Sequence, residues 1–157
     1  MLSADRGVCC SCSMENIELF NLYAGRIFAR LYAAFPIART IQHVDTINPP
    51  EARADLKTDT EDYRNQLEIA SATVLWLADT GYLIVRGTGS PDRYVLSPKA
   101  LEALNASVPA LSPKEPAKTL GEQLTEVTKD VGSEAKTKAI GEIVGQVIGA
   151  AFKSLAT

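Results

Sequence analysis

The sequence predicts a mainly α-helical fold with one small β-hairpin, an α+β class. Three observations carry this. Apolar residues recur at spacings of three and four over long stretches. One compact cluster of turn residues separates two short runs of strand formers. Pro36, Gly81 and Ser97-Pro98 punctuate the ends of segments within residues 15–106. The chain has 157 residues, 46% of them hydrophobic and 22% charged, which is a globular composition. The expected organisation is a disordered N-terminal tail over 1–14, a folded domain over 15–106, a linker over 107–118 and a C-terminal helical tail over 119–157.

The first helix is expected from about Glu15 to Ala34. Phe20, Tyr23, Ala24, Ile27, Phe28, Leu31 and Phe35 form one apolar stripe, with Arg26 and Arg30 off it. Pro36 cannot continue the helix. Residues 36–57 lack a clear period, because Asn48-Pro49-Pro50 breaks any long element; a short strand or a short helix near Glu51–Leu56 fits there. Thr58-Asp59-Thr60-Glu61 reads as a capping box. The helical region behind it carries Leu67, Ala70, Val74, Leu77 and Ala78, and stops at Gly81; a break near Glu68–Ser71 would divide it in two.

Tyr82–Arg86 and Arg93–Leu96 read as two strands joined by the turn residues Gly87-Thr88-Gly89-Ser90-Pro91-Asp92. Ser97-Pro98 then supplies an N-cap and a proline at the first helical position, so a short helix follows to about Asn105.

The run Thr73-Val74-Leu75-Trp76-Leu77-Ala78-Asp79-Thr80-Gly81-Tyr82-Leu83-Ile84, followed by Tyr94-Val95-Leu96-Ser97-Pro98-Lys99-Ala100-Leu101, resembles the winged helix-turn-helix superfamily in its MarR-like, bacterial form. The likeness spans roughly residues 15–106 and rests on pattern, not on an invariant motif. It implies a winged-helix domain whose third helix, here about Glu68–Thr80, is the element that enters a major groove in DNA-binding members.

Base readout needs Arg, Lys, Asn or Gln at base edges, and EIASATVLWLADT has none of them. Its charges are Glu68 and Asp79, which phosphate repels. Ile69, Ala72, Thr73 and Trp76 instead form a second apolar stripe beside the core stripe, which suits a protein partner. Packing of Trp76 within its own domain is the competing reading. Arg86 and Arg93 flank the wing turn and are the candidate DNA contacts. The expectation is therefore a non-enzymatic binding protein, an adaptor or regulatory subunit. The alternative is a transcriptional regulator that binds duplex DNA through helix 68–80 and wing 82–96.

In the C-terminal segment, three prolines in SVPALSPKEPAK mark a linker. Thr119 and Glu122 offer a capping box. Leu120, Leu124, Val127 and Val131 form a seam, and Ile140, Ile143, Val144, Val147 and Ile148 a second stripe. Gly141, Gly145 and Gly149 recur every four residues, a spacing that lets another helix approach closely. Self-association or docking on a protein is expected of this tail, and membrane contact is not, since Glu142 and Gln146 interrupt the apolar run.

Catalytic chemistry has no support in the residues. The single histidine, His43, lies in the least regular stretch, and no G-x-S-x-G, H-E-x-x-H or phosphate-loop pattern occurs. Asp59, Glu61 and Asp62 sit where a helix N-terminus favours negative charge anyway. Cys9, Cys10 and Cys12 are crowded together and odd in number, which suits neither a zinc site nor a disulfide framework. No metal, cofactor or small-molecule substrate is expected. Net charge is −3, with the acidic excess inside residues 1–110, so no basic block seeks nucleic acid by charge alone. The first residues lack the apolar core of a secretory signal, and the chain reads as cytoplasmic. Met14, just before the first helix, is an alternative start.

Overall fold

A computed structural model describes residues 15–47, 60–87, 91–106, 117–129 and 134–155. The expectations for 1–14 with its three cysteines, for 48–59 with the short helix near Glu51–Leu56 and the Thr58 cap, for the turn at 88–90, for 107–116 and for Val131 fall outside the described residues. The fold is mainly helical with one small antiparallel sheet.

The first helix, α1, runs Asn16–Ala34, and the Glu15 backbone N–H donates to Glu18 Oε2 at 3.3 Å. Its buried residues include Leu22 to Gly25, Ile27 to Ala29 and Leu31, which spread around almost the whole helix. A helix buried all round needs neighbours on every side, and α1 is the central element. After Pro36 come β1 (Arg39–Thr40) and α2 (His43–Ile47), the short elements that aperiodic residues could not announce.

The helix α3 runs unbroken from Glu61 to Asp79. The suspected break near Glu68–Ser71 does not exist: Ala70 is buried, and Thr73 Oγ1 donates to Ile69 O at 2.7 Å inside a continuous helix. Its N-cap is Thr60, whose side chain accepts from the Tyr63 amide at 3.2 Å. Gly81, at φ +81°, turns the chain out of the helix in a conformation that glycine adopts without cost.

The strands β2 (Leu83–Arg86) and β3 (Arg93–Leu96) pair antiparallel. The expected hairpin gains a third strand, since β1 pairs with β3 through Arg39↔Tyr94 and Thr40↔Arg93, giving the order β1-β3-β2. The helix α4 (Pro98–Asn105) starts at Ser97, whose Oγ accepts from the Ala100 amide at 3.2 Å.

The helices α5 (Leu120–Lys129) and α6 (Glu134–Leu155) follow. The Thr119–Glu122 box closes reciprocally, at 2.9 and 3.2 Å. These helices are not a tail awaiting a partner. Leu120, Leu124, Ile140, Val144 and Val147 are buried in the same core cluster as Tyr23, Phe28, Leu77 and Tyr82. The partner surface is the second face of α1. Gly25 lies about 140–160° around that helix from Phe20 and Tyr23 at 100° per residue, and a Cβ there would collide with Ile140 Cγ2 and stand 3.3 Å from Val144 Cγ2 and 3.4 Å from Leu124 Cδ1. Gly121 does the same for α5: a Cβ would come within 2.6 Å of Tyr32 Cζ. The Tyr32 hydroxyl donates to Asn105 Oδ1 at 3.0 Å, so its ring bridges α1, α4 and α5. Among the described residues no helix is long and apolar enough to cross a membrane.

Candidate interaction surface

The side chains of α3 divide by angle. Tyr63, Ala70, Val74 and Leu77 face the core, and positions 72, 75 and 76 fall on the far side of the helix. Leu75 is 59% exposed and Trp76 39%, with Ala72 exposed beside them. Glu68 and Asp79, both exposed, border this apolar strip. Ile69, expected on the same stripe, is half-buried and packs against the core. Leu75 was missed as part of the strip although it follows Ala72 at a spacing of three; its position, about 200° from Leu77 at 100° per residue, is the signal that locates it.

Trp76 is exposed and also held. Its ring meets Phe20 edge-on at 5.1 Å and stacks on Tyr82 at 6.1 Å with planes 17° apart. Such pairs add about 0.5–1.5 kcal/mol beyond area burial. Tyr82 is itself fixed from below: it meets Phe28 edge-on at 6.0 Å, and Lys99 Nζ sits 4.2 Å from its ring centroid while donating to Thr80 O at 3.0 Å. Burial raises the Tyr82 phenol above its ordinary value. Packing within the domain and exposure to solvent are thus both true of Trp76. Ile17, 60% exposed, stands one helical turn before Phe20 and extends the apolar surface onto α1.

The unbroken α3 also begins earlier than the segment 68–80 and brings Arg64 and Asn65, both exposed, onto its N-terminal half. Glu61, Asp62 and Glu68 surround them in sequence, and Asp62 accepts from Gln66 Nε2 at 2.9 Å. Arg86 and Arg93 face each other across β2 and β3, both exposed.

The remaining expected site residues fall elsewhere. Leu124, Val144 and Val147 are interior, and Ile148 packs on the core. Their stripe told which face of the helix is apolar but not that α1 covers it. The glycines of α6 are not at a close approach: a Cβ on Gly141 would meet only Asn21, at 3.8 Å or more, and on Gly145 or Gly149 nothing within 4 Å. The glycines that do admit neighbours, Gly25 and Gly121, were missed because a lone glycine has no period to announce it.

Between α1, α2 and α5 lies a concavity of about 360 Å³, with Arg26, Arg30, Asp45 and Lys129 on its wall. Arg26 Nη1 donates to Thr46 O and Ile47 O at 2.8 and 2.6 Å, and Arg30 pairs with Asp45 at 3.2 Å. These cations therefore tie α2 to α1. Burial lowers the Arg26 guanidinium from its ordinary value. Among the described residues no group of three or more His, Cys, Asp or Glu stands ready for a metal ion.

Comparison of the chain with protein-family models, with curated proteins and with solved structures finds no match.

Proposed function

We propose that this chain is a non-enzymatic protein-binding module, an adaptor or regulatory subunit, that docks its partner on the outward strip of α3. The observation that carries the reading is the exposed pair Leu75 and Trp76, with Ala72, on a helix face bordered by Glu68 and Asp79. Large aromatic and aliphatic side chains dominate binding energy when desolvated at the centre of an interface. The ring cluster that holds Trp76 lowers the entropy cost of using it. An acidic, apolar face gains nothing from phosphate.

The alternative is a winged-helix regulator that binds duplex DNA. One observation favours it: Arg64 and Asn65 are exposed on the N-terminal half of α3, the half that meets base edges in helix-turn-helix proteins, and Arg86 and Arg93 stand on the wing.

A photo-cross-linking residue at position 75 tests the first reading, with position 145 as the control. The expected result is a protein adduct in cells at 75 and none at 145. Absence of any adduct at 75 overturns the reading. Binding of mixed duplex DNA at low and moderate salt tests the second. Tight binding that falls steeply with salt and is lost in the Arg86→Ala, Arg93→Ala double variant reverses the ranking.

A further inference from the structure

Two apolar surfaces of opposite charge lie on different elements. The first is the α3 strip, on a helix whose ionisable side chains besides Tyr63 are Glu61, Asp62, Glu68 and Asp79 against Arg64. The nearby cation Lys99 is already engaged by Thr80 O and the Tyr82 ring. The second surface belongs to the sheet. The register sets Ile84 opposite Val95 and Arg86 opposite Arg93, so alternation puts all four on one face. Phe35, Pro36, Pro98 and Leu101 wall that face into a groove of about 540 Å³, and Arg86 stands in its lining. Two like charges directly opposite in a ladder destabilise each other. Among the described residues neither arginine has an ion-pair partner, and Asp92 is the one acid beside them in sequence.

We propose that the α3 strip of one copy seats in the sheet groove of a second copy of this chain. The proposal rests on the reading of α3 as a docking face and names the occupant. Charge selects this pairing over the others. Strip on strip would bring Glu68 and Asp79 against themselves, and groove on groove would gather four arginines. Strip on groove sets acids against arginines and covers both apolar surfaces at once. The two surfaces differ, so the contact is either made twice about a two-fold axis in an isologous pair, or heterologous, and then it closes into a ring or extends.

Sedimentation of the full-length chain over a concentration series tests this, in about 0.1 M and about 0.5 M salt. Wild type should associate with rising concentration, and less at the higher salt. Two double variants reverse each charge set: Glu68→Arg with Asp79→Arg, and Arg86→Glu with Arg93→Glu. All four positions are exposed, so circular dichroism should show the native fold. Each double variant alone should associate at least about tenfold more weakly. Their equimolar mixture should recover association, because native strip meets native groove and reversed strip meets reversed groove. If a reversal unfolds the chain, Glu68→Gln with Asp79→Asn replaces it and should weaken association without blocking it. A wild type that sediments as a monomer at every concentration overturns the proposal, as does a mixture that fails to recover. A monomeric wild type that still gives a cross-link from position 75 to a different protein leaves the α3 reading standing. An associating wild type with no cross-link from position 75 overturns both.

Discussion

Replacing Gly25 by alanine tests whether α5 and α6 belong to the core. In the middle of α1 the substitution gains about 1 kcal/mol of helix propensity. Against this, the new Cβ would collide with Ile140 Cγ2 and crowd Val144 Cγ2 and Leu124 Cδ1 at 3.3 and 3.4 Å. Inserting a carbon into a packed core costs about 1–3 kcal/mol. The upper half of that range applies, because Ile140 and Val144 are buried and, being β-branched, have few rotamers to retreat to. The net expectation is a loss of about 1–2 kcal/mol, or a fall in Tm of about 2–8 °C for a chain of this size. Gly145→Ala is the internal control. It sits in the helix α6 with nothing within 4 Å of its new Cβ, so it should gain up to about 1 kcal/mol. Thermal and urea unfolding followed by circular dichroism read both. A third variant, Ile140→Ala, deletes the colliding methyl. Combined with Gly25→Ala it should give a less-than-additive loss, with coupling of about 0.5–3 kcal/mol. A Gly25→Ala protein at least as stable as wild type would show that α6 does not lie on α1, and the reasoning would fail.

Three further outcomes follow from the same geometry. Ser97→Ala removes the acceptor for the Ala100 amide and should cost about 1 kcal/mol by urea unfolding; an unchanged midpoint would show that the cap carries no weight. Truncation after Pro116 removes Leu120, Leu124, Ile140, Val144 and Val147 from the core. Each is worth about 1.5–3 kcal/mol when buried, against a net stability of about 5–15 kcal/mol, so the remaining chain should lose its cooperative thermal transition; a sharp native-like transition would refute this. Burial pushes the Tyr23 phenol up from 10.0 to about 12. A phenol raised in the folded state adds stability below its unfolded value and loses it between pH 10.0 and about 12 as the pH rises; Tyr23→Phe should flatten part of that alkaline loss.

The elements legible in the sequence are those with a period or a punctuating residue. The α1 stripe, the stop at Gly81, the strand start at Arg93 and the Ser97-Pro98 start all match the observed boundaries to within a residue or two. β1 has two residues and α2 five, too few to show a period. An apolar stripe states which face is buried but never against what. That is why Leu124, Val144 and Val147 suggested a partner when α1 already supplies one. The receiving face of α1 includes Gly25 and Ala29, small residues whose use is close approach and whose hydrophobicity is modest. The outward strip of α3 was half legible: Ala72 and Trp76 stood out, Leu75 beside them did not, Ile69 is half-buried against the core, and Thr73, expected on the same stripe, is buried.

The attachment of α2 bears on the order in which the chain folds. Five residues are far below the roughly 12–15 that an isolated helix needs to be even marginal in water. The last two carbonyls of α2, at Thr46 and Ile47, accept from Arg26, and Asp45 pairs with Arg30. Both arginines come from α1, one turn apart. The geometry of α2 is therefore conditional on a formed α1, and its bonds add nothing to a transition state in which α1 is still being assembled. In kinetic terms α2 is expected to be a late, low-φ element: weakening it should speed unfolding and leave the folding rate unchanged. In the native state the same dependence makes it an early place to open. Amide hydrogens around Thr46 and Ile47 should exchange through this local release, well before the central helix lets go of Ile140 and Val144.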